Sequence, residues 1–303
     1  MNVLGLAIRR LGCAAPAVLL LAILTGCGLA DAPIVSPKGP IALEERNLLY
    51  TAFGLMMIVT VPVFILTFWF CWRYRASRPR GAYTPEWGGS WRFEAVIWTV
   101  PAVIVIVLGV MLWTTTHRLD PYKALGDGND AFEVQAIAQD WKWLFIYPEL
   151  GTATVNELAF PADRPLRLKI TSDTVMNSFM IPALGGQIYA MAGMKTQLNL
   201  IASEPGVFKG RNTMYSGDGY ATQYFNAHAL SDTDFAAWSQ KVKDADKNLD
   251  ARTYVELVMP SVSNPVTYYS SYEPGLFNIV LLKYNPRPGP YTEAAAIICG
   301  VAA

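Results

Sequence analysis

Residues 47–72 read NLLYTAFGLMMIVTVPVFILTFWFCW, and no side chain in the run carries a charge. A second uncharged run, AVIWTVPAVIVIVLGVMLWTTT, lies between Glu94 and His117. Each exceeds the roughly 20 apolar residues that cross a bilayer, and neither has the polar stripe at helical spacing that a helix on a soluble core would show. Transmembrane helices are therefore expected over 47–72 and 93–116. Pro62 and Pro101 fall inside them, which membrane helices tolerate when neighbours satisfy the freed carbonyls. The remaining composition agrees: 52% of the 303 residues are apolar and 16% are charged, against about 25% charged in an ordinary soluble domain. The 24 basic and 24 acidic side chains cancel, which leaves no basic field for nucleic acid.

The connector at 73–92 carries Arg73, Arg75, Arg78, Arg80 and Arg92 against the single acid Glu86. Short arginine-rich loops stay in the cytoplasm, so both the segment before residue 47 and everything after 116 are placed outside, in the periplasm. The N-terminus points the same way. Arg9 and Arg10 precede the apolar run LGCAAPAVLLLAILTGC, the layout of a secretory signal over 1–26. Its end, Leu24-Thr25-Gly26-Cys27, resembles a bacterial lipobox, which implies lipidation of Cys27 as the first mature residue and a tether in the membrane lipid. A plain signal peptide or a short first membrane helix with an incidental cysteine are the alternatives. Residues 27–46 would form a periplasmic lead into the first span.

Beyond the second span, Phe132, Val134 and Ala136 alternate with polar neighbours. Trp141, Trp143, Phe145 and Tyr147 do the same up to Pro148, and Leu166, Leu168 and Ile170 follow suit. Period-two runs between Gly/Pro/Asn/Asp turns predict an antiparallel β-sandwich over 117–230. Ser231 and Asp234 then open a helical pattern in which Phe235, Trp238 and Val242 share a face, and short helices are expected at Tyr254–Val258 and in EPGLFNIVLLKY. This makes 231–285 a helical extension, with 286–303 left as a mobile tail. The fold class is thus a two-helix membrane hairpin followed by a periplasmic all-β domain. The cysteines, Cys13, Cys27, Cys71 and Cys299, leave none between 120 and 290, so a disulfide framework or CxxC metal site is excluded there. One stretch, GVFKGRNTMYSGDGYATQYF at 206–225, nevertheless has the make-up of a loop built to hold something.

Lipobox, hairpin, the QDWKWLFIYP strand and the sandwich together resemble subunit II of haem-copper terminal oxidases. The segments SPKGPIALEERNLLYTAFGLMMIVTVP, FEAVIWTVP, TTHRLDPYKAL, VMNSFMIPALGGQIYAMAGM and MYSGDGY are similar to the bo3-type ubiquinol oxidase branch, from about Cys27 to Tyr284. In the cytochrome c oxidase branch the sandwich is a cupredoxin that holds the binuclear CuA centre. Its ligands come from an H-S-F segment and a C-S-E-x-C-G-x-x-H-x-x-M loop, soft donors of the kind copper electron-transfer sites use. On that pattern Asn177 stands for the first His, Asn212 and Ser216 for the cysteines, Met214 for the Glu, Tyr220 for the second His and Gln223 for the Met. The resemblance therefore implies a cupredoxin-like domain lacking CuA, whose loop closes the sandwich by its own hydrogen bonds and by packing Tyr215, Tyr220 and Tyr224.

Further roles follow from the same resemblance. Trp141 matches the tryptophan that takes electrons from cytochrome c in the copper branch, and without its acceptor it is expected to be structural. The neighbouring Lys142 adds positive charge unsuited to docking a basic cytochrome. Glu94 matches the glutamate at the entrance of a proton pathway. His117 reads as an interfacial residue, and His228 merely follows the loop. The implied whole is a subunit, itself without cofactor or metal, of a proton-pumping ubiquinol:oxygen oxidoreductase of the bacterial inner membrane. Haem and CuB would lie in subunit I, subunits III and IV would be further partners, and cytochrome c would not be a donor. A menaquinol oxidase subunit II, or a lipid-anchored copper-free cupredoxin scaffold, are the alternatives.

Overall fold

The computed structural model describes residues 32–75, 86, 88–126, 130–285 and 293–300; the signal segment with Cys27, and most of the arginine-rich connector, lie outside the described residues. Helix α1 (Pro40–Arg73) and helix α2 (Trp91–Arg118) carry the two apolar runs. At 1.5 Å per residue they are about 51 and 42 Å long, and an 18-residue stretch within each has a mean hydropathy of 2.2 and 2.7 respectively. Both continue through their internal prolines. Their apolar side chains face outward, as lipid or partner helices require. Helix α1 begins before its apolar run because its first turn is docked on the β domain. There Lys38 N donates to Ala183 O (2.7 Å), Ala42 N donates to Leu184 O (3.2 Å), and Ser203 N donates to Lys38 O (2.9 Å).

The β domain consists of β1 (Phe132–Gln139), β2 (Lys142–Tyr147), β3 (Thr152–Val155), β4 (Glu157–Pro161), β5 (Leu166–Ser172), β6 (Asn177–Met180), β7 (Gln187–Ala190), β8 (Thr196–Leu200), β9 (Gly206–Asn212) and β10 (Tyr224–Leu230). With β12 (Thr267–Tyr269) they form two sheets, ordered β12-β3-β2-β1-β5-β8 and β4-β10-β9-β6-β7. The expected sandwich is present, but it is mixed rather than antiparallel. β1 pairs with β5 in parallel from Phe132↔Leu166 to Ala138↔Ser172, and β4 pairs with β10 in parallel. The chain leaves the first sheet through β4 and re-enters it at β5 from the end at which β1 entered, which imposes the parallel register.

Between the sheets lies an aromatic core. The alternation of Phe132, Val134 and Ala136 is borne out, and Trp143, Phe145 and Tyr147 point inward with them. The Trp143 ring meets Phe179 edge-on at 5.2 Å, and Phe179 stacks on Phe225 at 5.0 Å. The opposite face of β1, β2 and β3 is buried too, because a second core covers it. Ile137, Leu144, Ile146, Ala153 and Val155 pack under the C-terminal extension.

That extension contains α3 (Asp232–Lys243), capped by the Ser231 hydroxyl on Asp234 N, and α4 (Ala251–Val258), capped by Asp250 on Thr253 N. It ends in α5 (Leu276–Tyr284) and α6 (Glu293–Cys299). Two features differ from the sequence reading. First, the extension is not wholly helical: β12 adds an edge strand to β3, and β11 (Asn248–Leu249) pairs with β13 (Ser271–Tyr272). Second, the expected mobile tail includes α6, whose Ala295 and Ile298 are buried in the second core; seven residues are too few to span a membrane yet enough to bury one apolar face.

Buried polar latches join extension and sandwich. The Asp173 carboxylate, inaccessible to solvent, accepts from Tyr254 Oη (2.7 Å) and Lys283 Nζ (2.8 Å), while its backbone oxygen accepts from Tyr284 Oη (2.6 Å). Glu157 Oε1 accepts from Trp238 Nε1 (2.8 Å) and Tyr268 Oη (2.9 Å). Burial together with these anions pushes the Tyr254 and Tyr268 phenols well above their ordinary range.

Candidate functional site

The stretch 206–225 is only partly a loop. Its first seven residues are β9, which pairs with β10 through Arg211↔Tyr224 and Lys209↔Asn226. The loop proper runs from Thr213 to Gln223, with one turn of 3-10 helix at Tyr220–Thr222. It sits at the end of the sandwich, against the start of β6 and the tight β1–β2 turn at Asp140 and Trp141.

At this end four of the six positions singled out in the sequence meet. Asn212 Nδ2 donates to Asn177 Oδ1 (2.7 Å), Gln223 Oε1 (2.9 Å) and Ser216 Oγ (3.1 Å). Two hydrogens serve three acceptors, so one is shared. Asn212 Oδ1 accepts the backbone N–H groups of Ser178 (2.8 Å) and Met214 (3.0 Å). Ser216 Oγ donates to Gln223 Oε1 (3.2 Å), Asn177 Nδ2 to Val175 O (2.9 Å), and Gln223 Nε2 reaches Gln139 O (3.4 Å). Asn177, Asn212 and Gln223 are almost wholly buried. A network this enclosed is stabilising only when its members are satisfied, and here the amides satisfy one another.

The other two positions stay outside. Met214 contributes its N–H to the network, whereas Tyr220 places its ring 5.8 Å from that of Tyr215. Tyr224, expected to pack here, is exposed on the outer face of its sheet opposite Arg211. What covers the loop instead is Trp141. Held at φ 63°, a conformation uncommon outside glycine, it donates from Nε1 to Ser216 O (3.1 Å) and lays its ring on Gly217 and Gly219. A side chain at Gly219 would run into that ring, and Gly217 adopts φ 107°, so both glycines are needed for the contact.

Lys142 corrects the sequence reading. Its side chain is fully buried, not displayed at the surface, and its Nζ donates to Met259 O (2.8 Å) and Ser261 Oγ (2.6 Å) of the extension. Burial lowers its ammonium below the ordinary lysine range, opposed by the nearby Asp140. His117 Nδ1 lies 2.8 Å from Trp113 O, whereas His228 Nε2 lies 3.6 Å from Glu157 Oε2, beyond hydrogen-bond distance. Glu94 stands exposed in the first turn of α2, at the end of the hairpin opposite to the β domain. Neither Glu157 nor Asp173 was legible as a functional position, since a single acid in a strand or turn carries no spacing signal.

The chemistry of the donor set bears on copper. A binuclear copper centre needs bridging thiolates and imidazoles; the clustered positions offer two asparagines, a glutamine and a serine, already bonded to one another, and do not fit it.

Comparison with known proteins places this arrangement. Residues 151–226 match the family model "Cytochrome C oxidase subunit II, periplasmic domain", and residues 243–287 match "COX Aromatic Rich Motif". The chain is 51% identical to cytochrome bo(3) ubiquinol oxidase subunit 2 of Pseudomonas aeruginosa, over 89% of this chain and 80% of that one. It belongs to the subunit II family of haem-copper quinol oxidases. The corresponding protein of Pseudomonas putida is 47% identical (87% and 83% covered), and ubiquinol oxidase subunit 2 of Acetobacter aceti is 46% identical (92% and 89% covered). As a quinol oxidase subunit II, the chain is part of a multi-subunit oxidoreductase of the respiratory chain, with membrane helices and a periplasmic β domain. The aromatic-rich motif spans most of the extension that Asp173, Glu157 and Lys142 hold down.

Asn212→Ala removes three donations and two acceptances at once. It is expected to lower stability by about 2–3 kcal/mol, the cost of leaving buried amide partners unpaired. Hydrogen exchange of the assembled complex should show the amides of 213–223 opening first; unchanged exchange there would contradict the network's role.

Proposed function

We propose that this chain is subunit II of a proton-pumping ubiquinol:oxygen oxidoreductase in which it carries no CuA, oxidises no cytochrome c and binds no other cofactor. The observation that carries the reading is the closed Asn177–Asn212–Ser216–Gln223 cluster. Copper-ligand positions filled by mutually bonded amides leave no port at which a one-electron carrier could deliver to this domain. A lipid-soluble quinol reaching the complex through the membrane is the donor consistent with that, and the relatives' names support ubiquinol. Haem and CuB, with the oxygen chemistry they supply, belong to subunit I, and subunits III and IV complete the complex. This chain's own tasks are then structural, apart from one proton step. Trp141 serves as the lid of the loop, since the acceptor it would feed is missing.

The proton step is assigned to Glu94. The charge asymmetry of the arginine-rich connector puts the start of α2 on the cytoplasmic side, and an exposed carboxylate at that edge is placed to accept protons from the cytoplasm and pass them to a pathway in subunit I. Lipidation of Cys27 would add a second tether on the opposite side, fixing the mature N-terminus beside the periplasmic domain.

Oxygen uptake by the purified complex, with ubiquinol-1 or reduced cytochrome c as donor, tests the electron route. Uptake is expected with the quinol alone; uptake driven by cytochrome c would refute the assignment. Glu94→Gln should slow quinol-driven turnover about tenfold, some 1.4 kcal/mol of barrier, with haem content and assembly unchanged. Normal turnover in that variant would remove Glu94 from the proton path.

A further inference from the structure

Where the periplasmic ends of α1 and α2 meet the linker into the β domain, a cavity of about 120 Å³ opens, lined by Ile41, Glu44, Arg118, Asp120, Lys123 and Leu125 among others. At about 30 Å³ per water it has room for roughly four waters or one small polar group. Its depth is set by the helices. The apolar run of α2 ends at Thr116, Trp113 is exposed just before it with the His117 ring at 4.4 Å, and Arg118 closes the helix. Aromatic and basic side chains in that order mark the headgroup layer of a bilayer.

The charges in the cavity are balanced and paired in space. Arg118 Nη2 lies 2.9 Å from Glu44 Oε2, tying the two helix ends together while 61% of the arginine side chain stays exposed. Asp120 Oδ1 accepts from Tyr122 N (2.9 Å), which fixes the carboxylate at the mouth. Among the described residues the exposed Lys123 ammonium has no side-chain partner. Two cations beside two carboxylates match a ligand that is itself a phosphate joined to an ammonium. A purely anionic headgroup would meet Glu44 and Asp120 as repulsion. Below the charged mouth, apolar side chains of α1 and α2 that no other part of this chain covers offer a path for acyl chains.

We propose that these residues seat one zwitterionic phospholipid of the phosphatidylethanolamine class. Its phosphate lies against Arg118 and Lys123, its ammonium against Asp120 and Glu44, and its chains run down the helix hairpin. The proposal rests on both helices crossing the membrane. Its consequence is that a lipid, along with the docked first turn of α1, fixes the height of the β domain over the bilayer.

Native mass spectrometry of the intact complex, delipidated and then titrated with phosphatidylethanolamine, phosphatidylglycerol or inorganic phosphate, tests it. Wild type is expected to retain one more phosphatidylethanolamine than Lys123→Gln under identical activation, with about tenfold weaker binding in the variant for the loss of one charge-assisted contact. Asp120→Asn should shift the preference from phosphatidylethanolamine towards phosphatidylglycerol, while Lys123→Gln weakens both. Because Arg118 also joins the helices, Arg118→Gln is informative only with haem content and assembly intact, and there it should match Lys123→Gln. Equal retention in all variants, equal binding of both lipids by wild type, or occupancy by inorganic phosphate alone would each overturn the proposal. Release of the chain from membranes by alkaline carbonate would instead overturn the spans on which it rests.

Discussion

The carboxamide of Asn212 holds together the end of the sandwich on which the rest of this domain depends. It faces β6 through Asn177 and Ser178, the first part of the loop through Met214 and Ser216, and the loop's last residue through Gln223. Strand β6, some 35 residues earlier in the chain, and both ends of the 213–223 loop converge on one planar group with two hydrogens and one oxygen. In a copper-bearing cupredoxin the same convergence is enforced by metal bonds, each much stronger than a hydrogen bond and demanding thiolate and imidazole. Here the geometry survives with amides, whose net worth is about 1 kcal/mol per bond. Burial of the whole cluster is what makes so weak a staple sufficient, since opening it would strand several polar groups away from water.

From that end the construction proceeds outward. Trp141 covers the loop from a left-handed position in the β1–β2 turn, and the next residue, Lys142, is buried and directed into the extension. The turn therefore couples two cores: the aromatic one between the sheets and the second one beneath the aromatic-rich motif. Glu157 and Asp173 complete the coupling, because each is a buried anion whose partners come from the extension. Breaking one of these contacts while the extension stays in place would leave a buried carboxylate short of a donor, at a cost of several kcal/mol. Sandwich and extension form one structural unit for that reason.

Much of this was legible in the sequence, for identifiable reasons. The hairpin announces itself because a bilayer accepts only long uncharged runs, and the capped start of α3 carries Ser231 at a position whose chemistry is local, whereas the sequence reading misses the Asp250 cap, which starts α4 three residues before Tyr254. The first halves of β1 and β5 alternate cleanly since there only one face meets a core. Lys142 misled because a charged residue inside an alternating strand reads as solvent-facing, and only the presence of a covering layer reverses it. The parallel pairings and α6 were likewise invisible: both depend on contacts between segments far apart in the chain. The candidate site was located by resemblance, and its closure by hydrogen bonds was expected, but the partners in those bonds were not foreseen. Which of six substituted side chains would find each other is a matter of rotamer and distance, and Tyr220 and Met214 turned out to lie beside the network rather than in it.

The central claim is that the amide cluster stands in place of copper in this quinol oxidase subunit. Metal analysis of the assembled, haem-loaded complex tests it most directly, because the total then reports the single copper proposed for the large subunit plus whatever this chain holds. The account predicts one copper per complex. Three coppers per complex, the complement expected with an intact binuclear centre in the β domain, would contradict it.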